Sequence, residues 1–369
     1  MSSRSGRFSF KLALSILLWG ATAVGQATNE EKFFILPLAG YSSQFGFGAG
    51  ASAAWINMGK SSWQASTAAY YGTMYSLNFV SVDLLNRHWL GFLYADFGGT
   101  YYQNYRALFF GFGNNSNYNN EVQFSTQRDY GYARLGVRFL NYFVVGGGVT
   151  QGTMTIDRGA DPSLPQFLDI YGTSAAYPSG ATTTFLQGFL TYDSRLPETA
   201  PQQGNLLSLL LEQSEPFGNE TLAEQHLEVI GENFLDLVDK DLLLVTHLKY
   251  EKVWGNGTPF FLEAPVGGLD TLRGFEVSRF IDTGSTTLNF EPRWSFWKPN
   301  GSFIKRLELS SAFEMGQVFS NGLVPPPYGY HIDMDFGFTV VMHGDLPIRF
   351  DYAISDESSL VYLNLFYPF

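Results

Sequence analysis

Arg273 sits in GGLDTLRGFEVSRF, residues 267 to 280, where three glycines and a guanidinium interrupt segments with the two-residue apolar period of β-strands. A guanidinium is a planar fork of donors, and it holds a carboxylate through two hydrogen bonds. Two carboxylates stand downstream at strand spacing: Glu291 in LNFEPRW and Glu314 in AFEMGQVF. Glu314 shares its strand face with Ala312 and Gly316, small residues that leave space for an incoming side chain, so it is the first expected partner. Glu291 is the second, because Arg293 lies beside it on the same face and competes for it. Gly267, Gly268 and Gly274 permit the tight turn that such an inward loop needs. The alternative position for Arg273 is bulk water in an outer loop.

Other chemistry finds few residues. The five histidines, His88, His226, His247, His331 and His343, show no His-Glu-x-x-His spacing, which speaks against catalytic zinc. GKS at 59 to 61 lacks the upstream glycine of a phosphate loop, since position 54 is alanine. There is no Gly-x-Ser-x-Gly elbow. DMD at 333 to 335 lacks the rest of a calcium loop and reads as alternating acids on a wet strand face. No cofactor, no metal and no enzymatic activity are expected.

The elements that must position these groups are strands. In GYARLGVRFL, Ala133, Leu135, Val137 and Phe139 share one face, and Tyr132, Arg134, Gly136 and Arg138 the other. In LLLVTHLKYEKVW, Leu244, Thr246, Leu248 and Tyr250 oppose His247, Lys249 and Glu251; in LPIRFDYAI, Ile348, Phe350, Tyr352 and Ile354 oppose Arg349 and Asp351. Apolar residues opposite charged ones describe a wall with lipid outside and a polar lumen inside, as in barrels of more than about 8 strands. Aromatic residues make up 17% of the chain and Gly 39 of its 369 residues, yet mean hydropathy is only −0.04. No apolar run of membrane-helix length exists beyond the N-terminus, so a helical membrane protein is excluded. The soluble alternative is a Gly-rich β-sandwich.

Residues 1–25 carry Arg4, Arg7 and Lys11, then LALSILLWGATAVG and small residues at Ala23 and Gly25, the pattern of a secretory signal peptide. Residues 26–369 are read as a single outer-membrane β-barrel domain. The chain has 34 acids against 22 bases, net −12, or −15 without the three bases of the signal, so no nucleic acid partner is expected. Zero cysteines in a secreted chain leave burial and sheet closure to provide stability. Length and the alternation of short and long connections predict an antiparallel transmembrane barrel of about 16 strands, with a long outer loop over 150 to 185 and a last strand ending at Phe369. Val361, Leu363, Leu365, Tyr367 and Phe369 are placed on its lipid face. Pro37 in the first strand and Pro368 in the last each lack an N–H for the ladder, so closure there should have fewer hydrogen bonds.

The motifs GGLDTLRGF, LNFEPRW, AFEMGQVF and LPIRFDYAI, preceded by LTYDSRLPETAPQQG at 190 to 204 and ILPLAGYSSQFGFGAGASAAW at 35 to 55, resemble in order the bacterial surface-antigen superfamily. These are barrels of the BamA, TamA and FhaC type, which act in outer-membrane assembly and translocation. The resemblance implies that Leu272, Arg273, Gly274 and Phe275 form the tip of an outer loop folded into the lumen, its arginine meeting an acid on the wall. It also implies that Tyr362, Leu365, Tyr367 and Phe369 form an assembly signal read by the barrel assembly machinery, and that the Pro37–Pro368 seam is a lateral gate. Glu314 stands where the family usually has Asp, one methylene longer. The implied setting is the Gram-negative outer membrane, with its lipid and a periplasmic or outer-membrane protein as partners. Assembly or translocation is the leading function and a passive channel or structural barrel the alternative.

Overall fold

The structure is a computed structural model that describes residues 31–42, 46–72, 77–173, 179–196, 200–214, 224–255, 258–300, 303–342, 346–365 and 367–368. The expected signal peptide, residues 1–25, and Phe369 lie outside the described residues.

Eighteen strands follow in chain order: β1 Lys32–Ser42, β2 Gly46–Ile56, β3 Trp63–Gly72, β4 Leu77–Trp89, β5 Leu93–Phe109, β6 Val122–Phe139 and β7 Phe143–Arg158. After one short helix, α1 Phe167–Tyr171, come β8 Gly180–Asp193, β9 Gly204–Ser214, β10 Glu224–Val238, β11 Leu242–Gly255, β12 Ala264–Val266 and β13 Phe280–Asp282. The last five are β14 Gly284–Trp297, β15 Ile304–Phe319, β16 His331–Met342, β17 Leu346–Ile354 and β18 Ser359–Asn364. Sixteen of them close an antiparallel barrel in sequence order, with β11 pairing β14 and β18 returning to β1; β12 and β13 form a separate two-stranded ribbon.

Alternation makes the wall two-faced. Leu135, Val137, Phe290, Phe350 and Tyr352 are exposed outward, while His247, Lys249, Glu291, Arg349 and Asp351 are buried inward. Burying charge is tolerated here because Lys249, Glu291, Arg349 and Asp351 each meet an opposite charge on their own or another strand. Connections at one end are short, as at 90–92, 140–142 and 239–241, and those at the other are long, at 110–121, 159–179, 256–283 and 320–330.

Three expectations are corrected. The loop expected over 150 to 185 is confined to 159–179, because β7 and β8 run on beyond the polar lumen. There Met154 and Ile156 turn inward onto Phe109, Phe124, Phe167 and Phe260, an apolar plug where a wet interior was expected. Aromatic pairs such as Phe167–Phe260, 4.8 Å between centroids, fill the long-loop end. The last strand, expected to reach Phe369, ends at Asn364.

Candidate functional site

The connection from β11 to β14 turns into the lumen. Gly267 and Gly268 adopt φ of 114° and 98°, a region costly for any side chain, and they knot the loop. The Gly267 N–H donates to Thr271 Oγ1 at 2.9 Å, and the Gly268 N–H to the carbonyls of Leu272 and Phe275 at 3.0 Å each. Gly274 is needed for a different reason. A Cβ there would lie 2.7 Å from the Asp333 Cβ and 2.9 Å from the Ile354 carbonyl carbon, so the tip touches the wall itself. Leu272 and Phe275 are fully buried with Val266, Phe280 and Val318.

This knot drives Arg273 into a cage of carboxylates. Its Nε donates to Glu314 Oε1 at 2.7 Å, and its backbone N–H donates to Glu314 Oε2 at the same distance. Nη2 lies 2.6 Å from Glu314 Oε1 and 2.8 Å from Glu291 Oε2; Nη1 lies 3.0 Å from Asp335 and 3.5 Å from Asp351. All five side chains are wholly buried. Glu291 is shared: Arg349 Nη1 and Arg293 Nε each approach its Oε1 at 2.6 Å. Arg349 also pairs with Asp351 at 2.6 Å and Asp335 at 3.2 Å. Register explains the convergence, since Asn289, Glu314 and Asp333 stand side by side on β14, β15 and β16, and Asn289 donates to both Glu314 and the Thr271 carbonyl. A buried cation with this many charge-assisted bonds is a mechanical tie, because one partner cannot leave without stranding the others.

The tie reaches further than the two acids expected. The Gly274 N–H donates to Asp333 at 2.8 Å, the Gly274 carbonyl accepts from Ser355 and Ser358, and the Arg273 carbonyl accepts from the Tyr362 hydroxyl at 2.9 Å. The tip is therefore bonded to β14, β15, β16, β18 and the turn before β18, with β17 contributing Asp351. Sequence reasoning missed Asp335, Asp351, Arg349 and the Tyr362 hydroxyl as partners. Their signal was present in DMD and RFD, whose two-residue spacing puts both charges on one face, but spacing alone does not say what a wet face touches.

A second arginine of the loop, Arg279, was also missed. Its Nε and Nη2 meet Glu357 at 2.6 and 2.7 Å, while Nη1 and Nη2 donate to the hydroxyl and carbonyl of Ser116. Phe110 and Phe280 flank the guanidinium at 4.7 and 4.4 Å. Two loop carboxyls are carried into low-dielectric surroundings. Burial lifts Glu276 to about 7, with Glu121 adding to the rise and Arg106 opposing it, and lifts Asp270 to about 7 against the pull of Lys249.

The seam is thin. Among the described residues β1 and β18 pair only at Tyr41↔Leu363 and Ser42↔Tyr362, whereas β1 and β2 pair from Lys32↔Ile56 to Ser42↔Gly46. Pro37 pairs with Ala51 of β2 and faces no residue of β18. Pro368, expected within the last strand, lies past its end. Leu365 and Tyr367, expected on the lipid face, are turned inward: Leu365 packs near Leu38 and Ala68, and Tyr367 is buried with Ala200 and Val341. The cause is polar. The Tyr367 hydroxyl donates to Glu308 and its ring lies 4.0 Å from the Arg293 guanidinium, partners that lipid cannot supply. Among the described residues no group of three or more His, Asp and Glu is arranged to hold a metal ion.

No family model matches the sequence, and no curated protein matches it. Solved structures do. BamA from Haemophilus ducreyi, lacking POTRA domains 1–3, aligns over 90% of this chain and 70% of its own with a TM-score of 0.63 and 11% identity. CdiB from Escherichia coli aligns over 89% and 62% with a TM-score of 0.59 and 12% identity; CdiB from Acinetobacter baumannii aligns over 91% and 60% with 0.57 and 10%. The chain thus spans 60 to 70% of the length of these three. The likeness establishes the fold, a 16-stranded barrel of the BamA type, as found in outer-membrane proteins.

Proposed function

We propose that the chain works in the outer membrane as an assembly or translocation barrel, acting with a periplasmic or outer-membrane protein partner and opening laterally between β1 and β18. The observation that carries this reading is the two-pair seam beside a firmly tied wall. The loop tip bonds β14 through β18, so the C-terminal side of the seam is held while β1, among the described residues, is joined across it at two positions. A closed wall that needed only to enclose a pore has no use for so weak a joint. A passive channel would also be poorly served by a lumen crossed by the arginine loop and plugged by the Phe109–Phe167–Phe260 cluster.

The test uses the absence of native cysteine. Tyr41→Cys with Leu363→Cys forms a disulfide across the seam in native membranes, and this lock abolishes the chain's phenotype until it is reduced. A locked barrel that retains full function defeats the gate. Pull-down from native membranes recovers a periplasmic partner. Substantial conductance of the purified barrel with no partner recovered would favour the channel.

A further inference from the structure

The loop at 320–330 does not rise away from the rim. It folds back over the outside of the barrel. Register identifies two rows of outward-facing positions at the long-loop end: Tyr250, Thr286 and Gln317 in one, and Lys252, Gly284 and Phe319 in the next. Such positions should be open, as Leu248 is one row lower at 41% exposed. Instead Thr286, Gln317, Lys252 and Phe319 are all buried. The loop covers them through three bonds. The Tyr250 hydroxyl donates to the Leu323 carbonyl at 2.6 Å, Gln317 Nε2 to the Pro326 carbonyl at 2.6 Å, and Lys252 Nζ to the Ser320 carbonyl at 3.1 Å. The Phe319 ring lies across Gly284, where a Cβ would come within 2.6 Å of it.

Having covered the wall, the flap presents apolar side chains of its own. Leu323, Val324 and Tyr328 are 58%, 79% and 75% exposed. Their height is set by the strands beneath. On the same patch Trp294 pairs with Leu242 at the short-turn end and is 53% exposed, the position of an interfacial aromatic. A strand rising about 3.4 Å per residue at a tilt of about 40° climbs roughly 2.6 Å per residue, so Tyr250 stands about 21 Å above Leu242 and Lys252 about 26 Å. The apolar band of such barrels is about 25 Å tall. The flap therefore lies at the upper edge of that band, continuous with the outward-facing row Leu248–Leu288–Met315 below it, of which Leu248 is exposed and the other two half-buried.

We infer that residues 320–328 form an interfacial anchor, inserting Leu323, Val324 and Tyr328 into the acyl-chain boundary of the outer leaflet against strands β11, β14 and β15. Lys252, capped by the flap at that boundary, keeps its ammonium on carbonyl and hydroxyl oxygens instead of lipid. The occupant is lipid because the flap continues the lipid-facing wall and carries no charged side chain between Ser320 and Tyr330.

The chain has no cysteine, so Val324→Cys introduces a single thiol for a polarity-sensitive fluorophore, with Tyr328→Cys as a second site and Ser163→Cys on the 159–179 loop as the aqueous reference. Each variant is folded into vesicles containing only this protein and phospholipid, and folding is verified by heat-modifiable migration. The expected result is a blue-shifted label at 324 and 328, quenched several-fold more by bromine-labelled acyl chains than by iodide, with the reverse order at 163. Iodide quenching at 324 and 328 equal to that at 163 overturns the anchor by placing the flap in water. Protection from both quenchers also overturns it, because the flap is then covered by protein, a second copy or another loop of the chain, instead of lipid.

Discussion

A single guanidinium ends the lumen loop, and its energetics follow from what is left when it goes. Arg273→Ala strands Glu314, Glu291, Asp335 and Asp351 without one of their cations, and such a loss costs on the order of 3 to 5 kcal/mol where no water enters. The expected outcome is a loop cleaved more readily by added protease and a lower unfolding temperature. Glu314→Ala should reproduce most of this without adding to it in the double variant, since both remove one tie. Defects that simply sum would separate the two residues. Arg273→Lys should rescue little, because an ammonium cannot reach Glu314 and Asp335 from opposite edges of one plane.

Glu276 gives the loop a pH dependence at the same scale. Its carboxyl is lifted from the ordinary value to about 7, so the docked loop favours the neutral form. That contribution is fully present below about pH 4.5 and is lost as pH rises through 7, by an amount on the order of 1 to 3 kcal/mol. Protease sensitivity of the loop should rise between pH 5 and pH 8 in the native chain and rise less in Glu276→Gln, where Asp270, lifted to about 7 in the same loop, supplies what remains. An unchanged slope in the variant would assign the effect elsewhere.

At the scale of elements, strands and their facing were legible because period two leaves no choice once one side meets lipid. LPIRFDYAI could only be read one way, and β17 is built so. Where facing is set by a particular bond rather than by alternation, the sequence was silent. Tyr367 continues the apolar spacing of Val361 and Leu363, yet it enters the lumen because Glu308 and Arg293 wait there, and those residues lie more than fifty positions upstream. The aromatic plug was illegible for the same reason: Phe167 and Phe260 meet Phe109, at the end of β5, only after two loops have folded inward. Glu291 and Glu314 could be singled out as acids on the right face, whereas the sharing of Glu291 among three arginines depends on side-chain reach across neighbouring strands.

Two element-level outcomes follow. Tyr367→Phe removes one charge-assisted hydrogen bond and should cost about 1 to 3 kcal/mol, read as a lower temperature for loss of the compact electrophoretic form. Gly267→Ala should be more damaging than Gly231→Ala. The former places a side chain at φ 114° and 2.2 Å from the Glu276 carbonyl, while the latter has only the Leu248 Cβ at 3.9 Å. Equal melting temperatures would mean that the knot is not what holds the tip.

For the whole molecule, closure removes every free edge but leaves the joints unequal. Stretched around its girth, the wall is sixteen joints in series, and the same tension crosses each of them. Joints in series do not share strain evenly; the most compliant one takes most of the extension. Among the described residues, two residue pairs between β1 and β18 carry a load that eleven carry between β1 and β2. Bilayer thickness fluctuations, or a rim pulled sideways at any two points, therefore widen the barrel at one fixed meridian. The arginine cage stiffens the adjoining arc from β14 to β18, so a crack that starts at the seam is steered toward the glycine- and alanine-rich β2 and away from the loop.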